Sequence, residues 1–190
     1  LPISPVLTDT LRDEAMKTIL EPMVTAMQKE GMPYVGCLYV GLMITTQGHK
    51  VVEFNARFGD PETQVVLPLL DSDLGQIMMA CATGTLTSDM VKWKDSSAAC
   101  VILASKGYPE TSSKGDVIHG DIKQYDTTIV FHSGTKLVGD EYVTNGGRVL
   151  GVVGLGKDLR TALDRAYGRI ERIDFEGMQY RTDIGAKAFK

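Results

Sequence analysis

The stretch that decides the fold is Val51-Val52-Glu53-Phe54-Asn55-Ala56-Arg57-Phe58-Gly59-Asp60-Pro61-Glu62-Thr63-Gln64, an apolar run that passes into a dense set of polar groups. Val51, Val52 and Phe54 suit a pleated, half-buried strand. Gly59 and Asp60-Pro61 then call for a turn, because Pro61 biases Asp60 away from helical geometry. If the extended geometry persists, Glu53, Asn55 and Arg57 share one face and Phe54, Ala56 and Phe58 the other. Glu53 offers a carboxylate and Asn55 a neutral carbonyl oxygen, about 7 Å apart at Cα from a rise of roughly 3.3 Å per residue. Such hard oxygen ligands suit Mg²⁺, which fills its remaining positions with water and substrate phosphates. Arg57 adds a planar cation matched to phosphate or carboxylate oxygens. The same three residues could also form the solvated face of an ordinary edge strand, and spacing alone leaves both readings open.

Resemblance carries the reading further. With the preceding Tyr39-Val40-Gly41-Leu42-Met43, the run resembles the metal-binding core of the ATP-grasp ligases. More narrowly, Glu53 to Glu62 resembles the signature of the phosphoribosylamine–glycine ligase family, also called glycinamide ribonucleotide synthetases. The resemblance implies ATP-dependent ligation of glycine to 5-phosphoribosylamine through glycyl phosphate, giving glycinamide ribonucleotide, ADP and phosphate in purine biosynthesis. It implies Mg²⁺ or Mn²⁺ held by Glu53 and Asn55, a catalytic and substrate-binding Arg57, and substrate contacts from Gly59, Asp60, Pro61 and Glu62. Many ATP-grasp enzymes carry another acidic ligand on the first strand of this hairpin, but the matching position here is Gly41. The other readings are a non-catalytic fragment and a different ATP-grasp carboxylate–amine ligase. The Arg57-Phe58-Gly59-Asp60-Pro61-Glu62 ending argues against the latter.

The resemblance covers the 190 residues but matches only the C-terminal portion of the family. Leu1-Pro2-Ile3-Ser4-Pro5 reads as a turn with no initiator methionine, so the chain looks cut. The missing N-terminal half, with most of the nucleotide-gripping loop, is then the partner that activity requires, and the fragment is expected to be inactive alone.

With 43% hydrophobic and 23% charged residues the composition is globular. A net charge of −4 without charge blocks points to neither nucleic acid nor an anionic membrane. No run approaches the roughly 18 apolar residues of a membrane helix, and no signal peptide is recognisable. Cys37, Cys81 and Cys100 lack disulfide or zinc spacing and read as buried small hydrophobes. The composition is that of a cytoplasmic protein.

Along the chain, Thr8 or Asp9 caps a helix that Pro22 should kink or interrupt and that Gly31 and Pro33 stop. Val35 to Thr46 and the Val51 strand form an antiparallel hairpin, with His49 solvated in its turn. Gln64 to Leu70 and Ser72 to Thr83 read as helices packed under the site. Thr85 to Lys94, with Trp93, is a composition shift that places a boundary near residue 92. The expected fold is α+β. Residues 1–92 form the C-terminal half of an ATP-grasp module, an antiparallel sheet with helices, and residues 93–190 a small strand-rich, barrel-like C-terminal domain. In that domain Ser97 to Ser105, Val117 to His119 and Thr128 to His132 read as strands. Tyr142 to Val153 reads as a strand pair whose Asn145-Gly146-Gly147 turn needs positive φ. Asp158 to Ile173 is an amphipathic helix with its charges in solvent. Phe131 to Thr135 and Val143 to Arg148 resemble the family's C-terminal domain, with His132 and Arg148 the candidates to face the substrate cleft. Gly154-Leu155-Gly156 lacks the third glycine of a dinucleotide loop.

Overall fold

The computed structural model describes residues 7–189; the turn expected at Leu1 to Pro5 lies outside them. Contacts divide the chain into two compact units, residues 1–60 with 70–93 and residues 61–69 with 94–190.

The first unit begins with α1 (Asp9–Ala15), capped by Thr8 Oγ1, which accepts from the Leu11 N–H at 3.3 Å. Pro22 interrupts the α-helical ladder without ending the helix. It lacks the N–H that would meet the carbonyl four residues back, and the ladder widens into a π turn over Met16–Leu20, where the Glu21 N–H reaches the Met16 carbonyl. α2 (Glu21–Lys29) follows, and Gly31, at φ 76°, ends it. The hairpin forms as expected, from β1 (Tyr39–Thr45) and β2 (Gly48–Asn55), with Thr45 paired to Gly48. Its turn is therefore Thr46-Gln47, with Gly48 supplying the positive φ of 94°.

That one-residue difference relocates His49 from a solvated turn into a strand. Its side chain is only 7% exposed, Nε2 lies 3.3 Å from Thr18 Oγ1, and Nδ1 lies 4.0 Å from Glu14 Oε2. α4 (Leu74–Thr83) starts where Asp73 Oδ1 accepts from the Gln76 N–H at 2.9 Å and stops at Gly84, φ 69°. Ser72, the other candidate cap, instead accepts from the Lys92 N–H at 2.8 Å. Trp93 is half-buried and its backbone bridges to Leu70. The cysteines are free, and only Cys100 is buried as expected, Cys37 and Cys81 being half-buried; partial burial, with Cys81 nearby, pushes the Cys37 thiol up.

The second unit is built on β8 (Arg148–Gly156), flanked by β3 (Ser97–Ala104) and β5 (Thr128–His132) in an open antiparallel sheet. Its near-continuous Val/Leu run is buried on both faces. α5 (Leu159–Ile170), capped by Asp158 Oδ1 accepting from the Thr161 N–H at 2.7 Å, covers one face. On it Val101, Leu103, Val130, Val152, Ala166, Ile170 and Phe175 form the core. α3 (Thr63–Leu69) belongs to this unit: Gly151, facing away from α5, approaches Gln64. α3 packs against β3 and β8.

Four short strands pair off in the same unit: β4 (His119–Gly120) pairs with β9 (Ile173–Asp174), and β6 (Thr135–Val138) with β7 (Glu141–Thr144). The domain is strand-rich as expected, but its sheets are open and do not close into a barrel.

β7 and β8 are thus not a strand pair, and Gly146 and Gly147 do not adopt positive φ. Their glycines serve close approach. A Cβ on Gly146 would lie 3.1 Å from Gly134 Cα, and one on Gly147 would lie 2.3 Å from the Tyr108 ring. Gly154 and Gly156 likewise have no nucleotide role, because both face α5 backbone.

Arg160, Asp164, Arg165, Glu171 and Arg172 are exposed as expected, but Arg169 is buried, 6% exposed. Its Nη1 donates to Asp121, its Nη2 to the Lys123 carbonyl at 2.7 Å, and its guanidinium lies 4.4 Å over the Tyr125 ring. Burial alone would raise the Asp121 carboxyl, but the Tyr125 hydroxyl, the Lys123 N–H and Arg169 together hold it below its ordinary value. A depressed carboxyl contributes stability above the unfolded-state pKa near 3.9, and that stability is lost as pH falls through the folded value. Asp121→Asn is expected to lower the melting temperature at pH 7 and to flatten its decline below about pH 4, as followed by circular dichroism. An unchanged acid limb would show that this pair does not govern acid stability.

Candidate functional site

The metal motif is positioned by the hairpin. β2 remains extended through Asn55, so Glu53 and Asn55 project to one side, and Asn55 Nδ2 donates to Glu53 Oε1 at 2.8 Å. Glu53 is exposed and Asn55 half-buried, so the carboxylate and amide stand together at a solvent-accessible strand end.

Gly41 is the direct cross-strand partner of Glu53, with the register slipping immediately after it. A Cβ on Gly41 would lie 3.3 Å from Glu53 Cγ. The absence of a side chain at Gly41 is what leaves Glu53 its room.

Arg57 is not part of that strand face. β2 ends at Asn55, the chain bends at 56–57, and Arg57 Nη1 donates to the Phe58 carbonyl at 2.8 Å. The apolar side does form: Phe54 and Ala56 line a cavity of about 190 Å³ with Met23, Val24, Met27, Tyr34 and Leu38. Gly59 is buried and Asp60 exposed. Pro61 and Glu62 are half-buried in the turn before α3, and the Glu62 carbonyl accepts from Val65 and Val66 at 3.0 and 2.9 Å.

Among the described residues no cluster of three or more His, Cys, Asp or Glu could form a closed metal cage. An open pair of oxygen donors at a strand end fits Mg²⁺ or Mn²⁺ whose remaining positions are water and phosphate oxygens.

His132 and Arg148 stand on neighbouring strands of the second unit. His132 ends β5, with Nδ1 3.1 Å from Thr135 Oγ1 and its ring 4.5 Å from that of Tyr142. Burial holds its imidazole below the ordinary value. Arg148 opens β8, its carbonyl accepts from the Gly134 N–H at 2.8 Å, and its Nε donates to the Tyr108 hydroxyl at 3.1 Å. Tyr108 was missed in the sequence because Tyr-Pro reads only as the end of a strand. Its partner is 40 residues away.

The fold and motif define an ATP-grasp ligase class. A family model described as phosphoribosylglycinamide synthetase, ATP-grasp (A) domain, matches residues 2–63, and one for the C domain of the same synthetase matches residues 98–187. The phosphoribosylamine–glycine ligase of Synechocystis sp. is 48% identical over 189 residues, covering 97% of this chain and 45% of that protein. The crystal structure of phosphoribosylamine–glycine ligase from Thermotoga maritima superposes with a TM-score of 0.82 at 32% identity, covering 96% of this chain and 45% of that one. Biotin carboxylase from Campylobacter jejuni shares the fold alone, with a TM-score of 0.64 at 14% identity over 94% of this chain and 39% of its own. The chain belongs to the phosphoribosylglycinamide synthetase family, as a C-terminal portion, and spans about half the length of these relatives. Among the described residues no helix is long and apolar enough to cross a membrane.

Proposed function

We propose that this chain contributes to a cytoplasmic ATP-dependent carbon–nitrogen ligase that joins glycine to 5-phosphoribosylamine in purine biosynthesis. Residues 1–92 supply the C-terminal half of its ATP-grasp catalytic domain and residues 93–190 its C-terminal domain. The rest of the nucleotide grip belongs to the part of the relatives' length that this chain does not span, and turnover requires it. The observation that carries the proposal is the pairing of Glu53 with Asn55, whose Nδ2 donates to Glu53 Oε1 at 2.8 Å, opposite a side-chain-free Gly41.

A glycine carboxylate oxygen takes the γ-phosphoryl group of ATP, ADP leaves, and the amine nitrogen then attacks the acyl carbon of glycyl phosphate and releases phosphate. Glu53 and Asn55 would hold Mg²⁺ or Mn²⁺, which when bound neutralises charge on the phosphates. Arg57, in the turn beyond the strand, stabilises the charge of the moving phosphoryl group. Gly59, Asp60, Pro61 and Glu62 hold glycine and the amine. His132 and Arg148 face the substrates, Arg148 as an anion clamp. No covalent protein nucleophile is required; positioning and charge neutralisation suffice.

Hydroxylamine added to the whole ligase with ATP and glycine, but without the amine, should trap glycine hydroxamate in step with ADP release. ADP formation that ignores glycine would remove the reading. Asp60→Asn, which loses a charge from the turn, is expected to raise the KM for glycine or the amine about tenfold and leave that for ATP nearly unchanged. Weakening of ATP alone would misplace the turn.

A further inference from the structure

β2 carries one residue more than its partner strand can pair. The ladder joins Gly41 to Glu53 but Leu42 to Val51, so Val52 is the extra residue of a β-bulge beside Glu53. Val52 and Glu53 both face Gly41, where a Cβ would lie 3.8 Å from Val52 Cβ and 3.3 Å from Glu53 Cγ. In an unbroken strand His49 and Glu53, four residues apart, would share a face. The bulge parts them: His49 meets α1 and the π turn, and Phe54, five residues on, joins residues of α2 around the cavity.

The same residues have a second way to close the hairpin. Pairing Thr45 with His49 would leave a three-residue turn, Thr46-Gln47-Gly48, of a common kind whose last position takes a glycine at positive φ. The ladder would then run to Gly41 and Glu53 without a bulge, and His49 would stand on the opposite face, away from the helix. The two registers keep the same strands and differ in where the extra residue lies.

What distinguishes them is the contact of His49 with the helix. The Thr18 hydroxyl donates to the Glu14 carbonyl at 2.8 Å, which spends its only proton. Thr18 Oγ1 can therefore only accept from His49 Nε2, 3.3 Å away, so the imidazole carries a proton on Nε2. His49 Nδ1 is buried without a hydrogen-bond partner. The bond through Nε2 is thus the one that holds the ring against the helix, and it exists only in the bulged register.

We infer that His49, held by Thr18, is a positioning residue for Glu53: it selects the bulged register and so sets the direction of the carboxylate beside Asn55. This rests on the metal role proposed for Glu53 and Asn55. All of these residues lie in the first unit.

The test uses the whole ligase. Thr18→Val keeps the shape of the side chain and removes the acceptor. It should raise the Mn²⁺ dissociation constant, read by electron paramagnetic resonance in the presence of ADP, about threefold, because only the bulged fraction binds well. His49→Ala should raise it about tenfold, and Thr18→Val should add nothing in that background. At saturating Mn²⁺ both variants should regain the wild-type kcat, since the ion draws the population back to the bulged register. In NMR spectra the methyl contacts of Leu42 should pass in part from Val51 to Val52.

Wild-type Mn²⁺ affinity in His49→Ala, beside lost affinity in Glu53→Gln, overturns this inference alone. So do Leu42 contacts that stay with Val51, or a change confined to the melting temperature. Unimpaired Mn²⁺ binding in Glu53→Gln overturns the metal role, and this inference with it.

Discussion

Glu53→Gln in the whole ligase is expected to lower kcat by at least about 100-fold, equivalent to about 2.7 kcal/mol of transition-state stabilisation. Asn55→Ala should act in the same direction. The two side chains form one donor set, joined at 2.8 Å, so the double variant should cost far less than the product of the single losses. Neither change should unfold the protein. Glu53 is exposed, Asn55 is half-buried, and the β1–β2 ladder runs through their backbones, so the melting temperature should move by no more than surface substitutions usually produce. Steady-state ADP release at saturating Mg²⁺ checks the activity, and thermal unfolding checks the fold. Wild-type turnover in both variants would strip the strand end of its metal role. Partial recovery of Glu53→Gln at raised Mn²⁺ would support it, because a weakened oxygen site is filled by mass action.

The parts legible in the sequence were those written in local pattern. β5 was marked at both ends by its β-branched run, β3 by a continuous apolar stretch, and α5 by helical periodicity, although it ends at Ile170 rather than Ile173. The Glu53–Asn55 face was legible because strand alternation is local. Arg57 was assigned to that face only by extending β2 two residues past its end. His49 was misplaced through one residue of hairpin register, which decides between a turn and a strand position. The π turn before Pro22 and the main-chain approach of Gly134 to Gly146 left no trace in composition. Arg169 looks like one more solvated charge on its helix, because what buries it, Asp121, lies 48 residues upstream. Glycine is the general case: a sequence shows that a Cβ is missing but not whether φ or a neighbour forbids it. At Gly48 and Gly84 the reason is φ; at Gly146 and Gly147 it is the neighbour.

That distinction is sharpest along β8 and α5, where two glycines 14 residues apart should respond to alanine with opposite signs. A Cβ on Gly154 would lie 2.0 Å from the Ala162 carbonyl oxygen and 2.7 Å from the Ala166 nitrogen. Both are helix backbone, so no rotamer change can relieve them. α5 would have to lift from the centre of the three-stranded sheet and open the packing of Ala166 and Ile170 against Val152. Overpacking of this kind costs about 3 kcal/mol, and in a unit of this size Gly154→Ala should lower the melting temperature by more than about 10 °C. Gly168, exposed within the same helix, has nothing within 4 Å of its ideal Cβ. There alanine only removes the backbone freedom that glycine contributes to the unfolded chain, and Gly168→Ala should stabilise by about 0.5–1 kcal/mol. Melting curves of the two variants decide the matter together. If Gly154→Ala melts with the wild type while Gly168→Ala melts above it, α5 does not rest on β8 at this distance, and the glycine at 154 requires another explanation.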